Sequence, residues 1–178
     1  MKKYILIFIV IIMTVFALTM VVSANQYEDE NGMIWTYSVN ADGKTASIVI
    51  GTVIPEGMDR SVEINIPSVV YDGQKEYTIT KIGTDAFRCG SNYNSKDYLT
   101  KQYFGHLTIP NTVTEIGSYA FAYSAIYGDV VIPDSVVSIG EGAFYGCESL
   151  ETITISESLI KSIVTAFDGC PKLKIIRK

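Results

Sequence analysis

The side chains able to make or break covalent bonds are few. His106 is the only histidine, so a Ser/His/Asp or Cys/His mechanism would have to run through it, and no glycine-framed nucleophile accompanies it. The cysteines are Cys89, Cys147 and Cys170, an odd number that allows at most one internal disulfide. Zinc sites built on cysteine draw on closely spaced pairs, whereas Cys147 and Cys170 stand 23 residues apart. The reading is of a protein that is not an enzyme, with no catalytic residue, no metal ligand and no cofactor.

Noncovalent chemistry is better provided for. The segment SNYNSKDYLTKQYF, residues 91–104, carries Tyr93, Tyr98, Tyr103 and Phe104 among Asn, Ser and Lys. Tyrosine offers a large contact area at modest entropic cost, which suits a recognition loop. For Tyr103 and Phe104, packing beneath the segment is an equal alternative. A second group flanks inward-facing apolar positions: Glu63, Asn65, His106, Thr108, Asp129, Val131, Thr152 and Thr154. On stacked strands these would form one exposed row on a concave face, with His106 between Glu63 and Asp129. Solvated cross-strand charge pairing is the plainer account of that trio. Either group needs a scaffold that brings distant parts of the chain to one surface.

An internal repeat supplies it. LTIPNTVTEIGSYAFAYSAIYGD (107–129) matches VVIPDSVVSIGEGAFYGCESLET (130–152) at a shift of 23, and ITISESLIKSIVTAFDGCPKLKI (153–175) keeps the frame. A period of this length marks a leucine-rich solenoid. An earlier copy, Ile64 to Phe87, fits once a hairpin-like insertion near 71–77 is allowed, and a second insertion falls at 91–101. Loop closure costs grow slowly with length, so repeats tolerate both. Each copy opens on an alternating triplet such as Leu107-Thr108-Ile109, a short strand with its apolar side inward. Pro110 and Pro133 stop the strand, and Val113/Val136 with Ile116/Ile139 return the chain to the core. Gly83, Gly117 and Gly140 mark a tight turn, after which Phe87, Phe121, Phe144 and Phe167 are expected to stack as a buried column in short helical or 3-10 turns.

Cys147 and Cys170 occupy one place in successive copies, with Ser124 and Gly90 as equivalents, so they should lie on the order of 5 Å apart in the stack. A small-residue core ladder is the favoured reading, with a disulfide between them the open alternative. Met33 to Gly51 reads as two alternating strands joined at Asn40-Ala41-Asp42-Gly43, a hairpin capping the first coil with Trp35 and Tyr37. The turn is preferred to a calcium loop because further carboxylates are lacking.

The pattern I-P-x-x-V-x-x-I-G-x-x-A-F, followed by Gly-Cys and a Leu, resembles the BspA-type, or treponemal, leucine-rich-repeat family of bacterial surface proteins, over roughly residues 25–178. The resemblance implies an exported or surface-displayed protein associated with adhesion. The last copy departs from the pattern, with Ser162-Ile163 in place of Ile-Gly and Ser156 in place of the proline.

The expected fold is an α/β solenoid of about four coils of about 23 residues, with a parallel β-sheet on the concave face and helical or 3-10 turns on the other side. Residues 1–24 read as a signal peptide cleaved after Ala24, 25–62 as the N-terminal hairpin cap and 63–178 as the repeats. Without cleavage, Ile5 to Val22 would serve as a membrane anchor. Cleavage removes two lysines and no acid, taking the net charge from −5 to −7, and no basic cluster gathers, which argues against nucleic acid. The expected partner is an extracellular protein or peptide, with a glycan or a second copy of the chain as alternatives, and the expected location is the cell surface or the medium.

Overall fold

The structure is a computed structural model that describes residues 24–53, 63–89, 104–160, 163 and 165–178. The apolar leader up to Ser23 and the insertion bearing Tyr93, Tyr98 and Tyr103 lie outside the described residues. Among those described, no helix is long and apolar enough to cross a membrane.

Strands β1 (Asn25–Glu28), β2 (Ile34–Val39) and β3 (Thr45–Val53) run antiparallel in that order. Alternation turns Trp35 and Tyr37 of β2 and Ala46 and Ile48 of β3 into the core. Two aspartates shape the turns. Asp29 Oδ1 accepts the N–H groups of Asn31 (2.9 Å) and Met33 (3.0 Å), while its Oδ2 accepts the buried Trp35 indole N–H at 2.9 Å. Asp42 Oδ1 accepts the N–H groups of Lys44 and Thr45, each at 2.8 Å, and Gly43 supplies the left-handed backbone at φ 63°.

The remaining elements are β4 (Ile64–Asn65), β5 (Val69–Asp72), β6 (Lys75–Ile82), β7 (Phe104–Gly105), β8 (Leu107–Thr108), β9 (Glu115–Ile116), β10 (Ala125–Ile126), β11 (Gly128–Val131), β12 (Ser138–Ile139), β13 (Leu150–Ile155), α1 (Glu157–Ile160) and β14 (Lys174–Arg177). The insertion near 71–77 is the antiparallel β5–β6 hairpin, paired from Val69↔Thr78 to Asp72↔Lys75.

Two parallel ladders run through the coils, and β7 with β10 forms a further short parallel pair. The alternating triplets build the first. β4 pairs with β8, β11 with β13 and β13 with β14, and β8 packs beside β11. Ile64, Leu107, Val130 and Ile153 point inward from it, as do Ile66, Ile109, Ile132 and Ile155 two residues on. The second joins β3, β6, β9 and β12, with Ile48, Ile82, Ile116 and Ile139 in register. The sequence pointed to one sheet and read Ile116 and Ile139 as a mere return to the core. Its later strands, β9 and β12, are two residues long, too short to display an alternating pattern by themselves.

Beyond the second wall the chain turns through the Ala-Phe segments. Phe87 N–H donates to Ala120 O (2.6 Å), Phe121 N–H to Ala143 O (2.7 Å) and Phe144 N–H to Ala166 O (2.8 Å). These segments are successive hydrogen-bonded turns, and four-residue α1 is the one helix among the described residues. Their rings form a column: Trp35 meets Phe87 edge-on at 6.2 Å, Phe87–Phe121 and Phe121–Phe144 stack at 5.0 Å, and Phe144–Phe167 at 5.4 Å. Burying a shared aromatic face between coils is what gives such an array its cooperativity, since one coil has no core of its own.

The glycines before these turns have a steric cause. A Cβ on Gly117 would stand 2.6 Å from Thr84 N and 2.7 Å from Gly83 C, and one on Gly140 2.4 Å from Ser118 N. Each glycine N–H also donates one coil back, Gly117 to Ile82 O and Gly140 to Ile116 O, both at 2.8 Å. The coils touch backbone to backbone here, which leaves no room for a side chain.

Candidate functional site

The outward side of the first ladder is the row anticipated from the repeat. Register places Asn65 beside Thr108, Asp129 beside Thr152 and Val131 beside Thr154, and Ile64 N–H donates to His106 O at 2.8 Å, bringing Glu63 and His106 to adjacent positions. Glu63, Asn65, His106, Thr108, Asp129 and Val131 are exposed, and Thr152 and Thr154 are half-buried. Val131 is 54% exposed.

His106 has a built seat. Its ring meets Tyr127 edge-to-face with centroids 4.7 Å apart, and it lies over Gly128, where a Cβ would come within 2.8 Å of His106 Cε1. Gly128 also takes a left-handed φ of 74°. Among the described residues no ion pair links His106 to Glu63 or Asp129. The Asp129 carboxylate accepts instead from the Thr152 hydroxyl. Tyr127, 38% exposed, therefore joins the row as the residue that fixes His106. β14 continues it, because Lys174 lies beside Thr152 and Ile176 beside Thr154.

A second cluster, half-buried at Tyr119 and Tyr123 and exposed at Tyr145, was not anticipated. Tyr119 and Tyr123 adopt left-handed backbone at φ 54° and 58°, where the next coil carries Gly142 and Gly146. A bulky residue in that region costs on the order of 1 kcal/mol. The glycines one coil on make room for the rings: a Cβ on Gly142 would meet Tyr119 Cε1 at 2.4 Å, and one on Gly146 would meet Tyr123 Cδ1 at 2.7 Å. Tyr123 contacts Tyr145 edge-on at 5.3 Å, and the Arg88 guanidinium lies 5.3 Å from the Tyr119 ring centre while holding Asp85 at 2.9 Å. Tyr119 Oη donates to Glu141 Oε1 at 3.3 Å, and the Glu141 charge raises the phenol above its ordinary value. The signal was present in the repeat: tyrosine stands at both places where the next copy has glycine.

Ser124, Cys147 and Cys170 form the expected ladder, with Ser124 Oγ 3.4 Å from Cys147 Sγ, and no disulfide joins the described cysteines. No group of three or more His, Cys, Asp or Glu among the described residues is arranged to hold a metal ion.

Residues 91–177 match the family model described as BspA type leucine rich repeat region, in six copies. A leucine-rich repeat protein from Bacteroides capillosus ATCC 29799 is 27% identical with a TM-score of 0.60, the match covering 81% of this chain and 94% of that one. A leucine rich cell surface protein from Faecalibacterium prausnitzii A2-165 is 28% identical with a TM-score of 0.52, over 86% of this chain and 42% of that one, so the present chain spans less than half of that neighbour. No curated protein matches the sequence.

Proposed function

Since residues 91–177 belong to the BspA-type leucine-rich repeat family, we propose that the chain is an exported or surface-held recognition module that binds an extracellular protein or peptide without chemistry. The observation that carries the reading is the outward row of the first ladder. Its side chains stand on strands locked to their neighbours, and His106 is seated between Tyr127 and Gly128. A receptor surface already in place loses little entropy on binding. Exposed Val131 and Tyr127 provide the apolar centre of a contact, and His106, Asn65 and Asp129 the polar rim. The tyrosines at 93, 98 and 103 are proposed as a second contact. Export is supported by Lys2-Lys3, the apolar run to Val22 and the small residues at Val22-Ser23-Ala24, and by likeness to a cell surface protein.

Glycan recognition is the second reading, favoured by exposed Tyr145, which packs edge-on against half-buried Tyr123 and offers an aromatic surface to a sugar ring. The experiment is capture from extracellular protein and glycan libraries by the purified protein, repeated with a variant carrying His106→Ala, Asp129→Ala and Val131→Asp. Saturable protein capture lost in that variant supports the first reading. Glycan capture lost only on Tyr123→Ala/Tyr145→Ala supports the second, and capture of the chain by itself alone contradicts both.

A further inference from the structure

The two cysteines of the C-terminal coils differ in a way that a passive core ladder does not require. Cys147 Sγ donates to Phe121 O and Cys170 Sγ to Phe144 O, each at 3.1 Å, so both thiols address the carbonyl one coil back. The coils are close here. The Phe144 and Phe167 rings, three residues earlier in each coil, lie 5.4 Å apart, and a Cβ on Gly169 would reach Gly146 Cα at 3.3 Å. A disulfide bridges Cα atoms roughly 4.4–6.8 Å apart, which matches the spacing of adjacent coils. Access is unequal. Cys147 is 0% exposed, whereas Cys170 is half-buried and opens on a depression of about 470 Å³ whose rim carries Glu148, Asp168 and Pro171.

We propose that Cys170 and Cys147 are an exchangeable dithiol, in which Cys170 reacts with a small neutral or cationic disulfide from solvent and Cys147 then closes the bridge. In the first step the Cys170 sulfur attacks one sulfur of the disulfide RSSR. A Cys170–S–SR bond forms, the S–S bond of RSSR breaks, and the departing thiolate takes up the Cys170 proton as RSH. In the second step Cys147 attacks the Cys170 sulfur, the bond to SR breaks, and a second RSH leaves with the Cys147 proton. Two protein thiols are oxidised and one RSSR is reduced to two RSH, with no other oxidant. Order follows access, and the thiol acidities point the same way. The neighbouring Cys147 side chain holds the Cys170 thiol below its ordinary value, while the same pairing, and burial after it, raise Cys147. The acidic rim of Glu148 and Asp168 selects against anionic disulfides. Closure would tie the last two coils together covalently. The inference goes beyond the recognition reading and does not rest on it.

The test is to incubate the full reduced chain with cystamine, quench in acid, alkylate, and read intact mass and peptide maps. The wild type is expected to lose two hydrogens and yield a Cys147–Cys170 cross-linked peptide, with Cys89 still a thiol. Cys147→Ser should stop at one mixed disulfide on Cys170, and Cys170→Ser should leave Cys147 unmodified. Oxidised glutathione, which is anionic, should react about tenfold more slowly at low salt, the gap closing as salt rises. A wild type that keeps all its thiols, or stops at an adduct on Cys170, overturns the proposal, as does reaction of Cys147 in Cys170→Ser at the wild-type rate. The cross-link map of the wild type decides the matter even where a variant fails to fold.

Discussion

Replacing Gly117 by alanine adds one methyl group at the place where two coils meet backbone to backbone. The new Cβ would stand 2.6 Å from Thr84 N and 2.7 Å from Gly83 C, with neither atom on a side chain that could swing aside. Relief requires the coils to part, and parting stretches Gly117 N–H to Ile82 O (2.8 Å) and Asp85 N–H to Ser118 O (3.1 Å). Overpacking against a rigid surface costs about 1–3 kcal/mol, and each weakened backbone hydrogen bond about 1 kcal/mol, so the expected loss is about 3 kcal/mol. For a domain of this size that lowers Tm by roughly 6–12 °C. Gly43→Ala is the control, because Gly43 has a left-handed φ of 63° but nothing within 4 Å of its Cβ position. It should cost only about 1 kcal/mol, from backbone strain. Differential scanning calorimetry on both variants checks the difference. If Gly117→Ala melts within about 2 °C of wild type, or no lower than Gly43→Ala, the glycine ladder is not a steric necessity and the reasoning fails.

Phe121→Ala removes a buried ring stacked at 5.0 Å on both sides, with an expected loss of about 3–5 kcal/mol in urea unfolding, larger than for the half-buried terminal Phe167. Asp29→Ala leaves the Trp35 indole N–H without its 2.9 Å acceptor, so stability should fall by about 1–3 kcal/mol and the emission of the only tryptophan should shift. The Tyr37 phenol is raised to about 12 by burial, with Asp72 and then Tyr77 adding to it. Its folded value exceeds the unfolded one, so its contribution is complete below about pH 10 and is lost as pH rises toward about 12. Urea midpoints measured across that interval should fall less steeply in Tyr37→Phe.

Much of the scaffold was legible because its cause is periodic. The triplets at Leu107, Val130 and Ile153 alternate, and a fixed shift of 23 residues stacks them, so one ladder and the phenylalanine column followed from the text of the repeat. The second ladder did not, because a two-residue strand such as Glu115–Ile116 carries no alternation and is defined only by its neighbours in adjacent coils. The glycines were read as turn residues, whereas Gly117 and Gly140 are required by contact between coils, a property of the stack that no single coil contains. On the candidate face, the row was placed by register alone, but the partner of His106 was not. Charge suggested Glu63 and Asp129, while the ring rests on Tyr127 and Gly128, residues that adjoin Asp129 in sequence and reach His106 only through the step between coils. The tyrosine cluster has no signature in the consensus, because a repeat pattern records what copies share, and Tyr119 and Tyr123 stand where they differ.

The central claim is that the outward row of the first ladder is a binding surface, and equilibrium titration of the captured partner tests it most directly. The His106→Ala/Asp129→Ala/Val131→Asp variant, shown by calorimetry to keep its fold, should bind at least about tenfold more weakly than wild type, a loss of about 1.4 kcal/mol. An unchanged Kd in that folded variant would contradict the account.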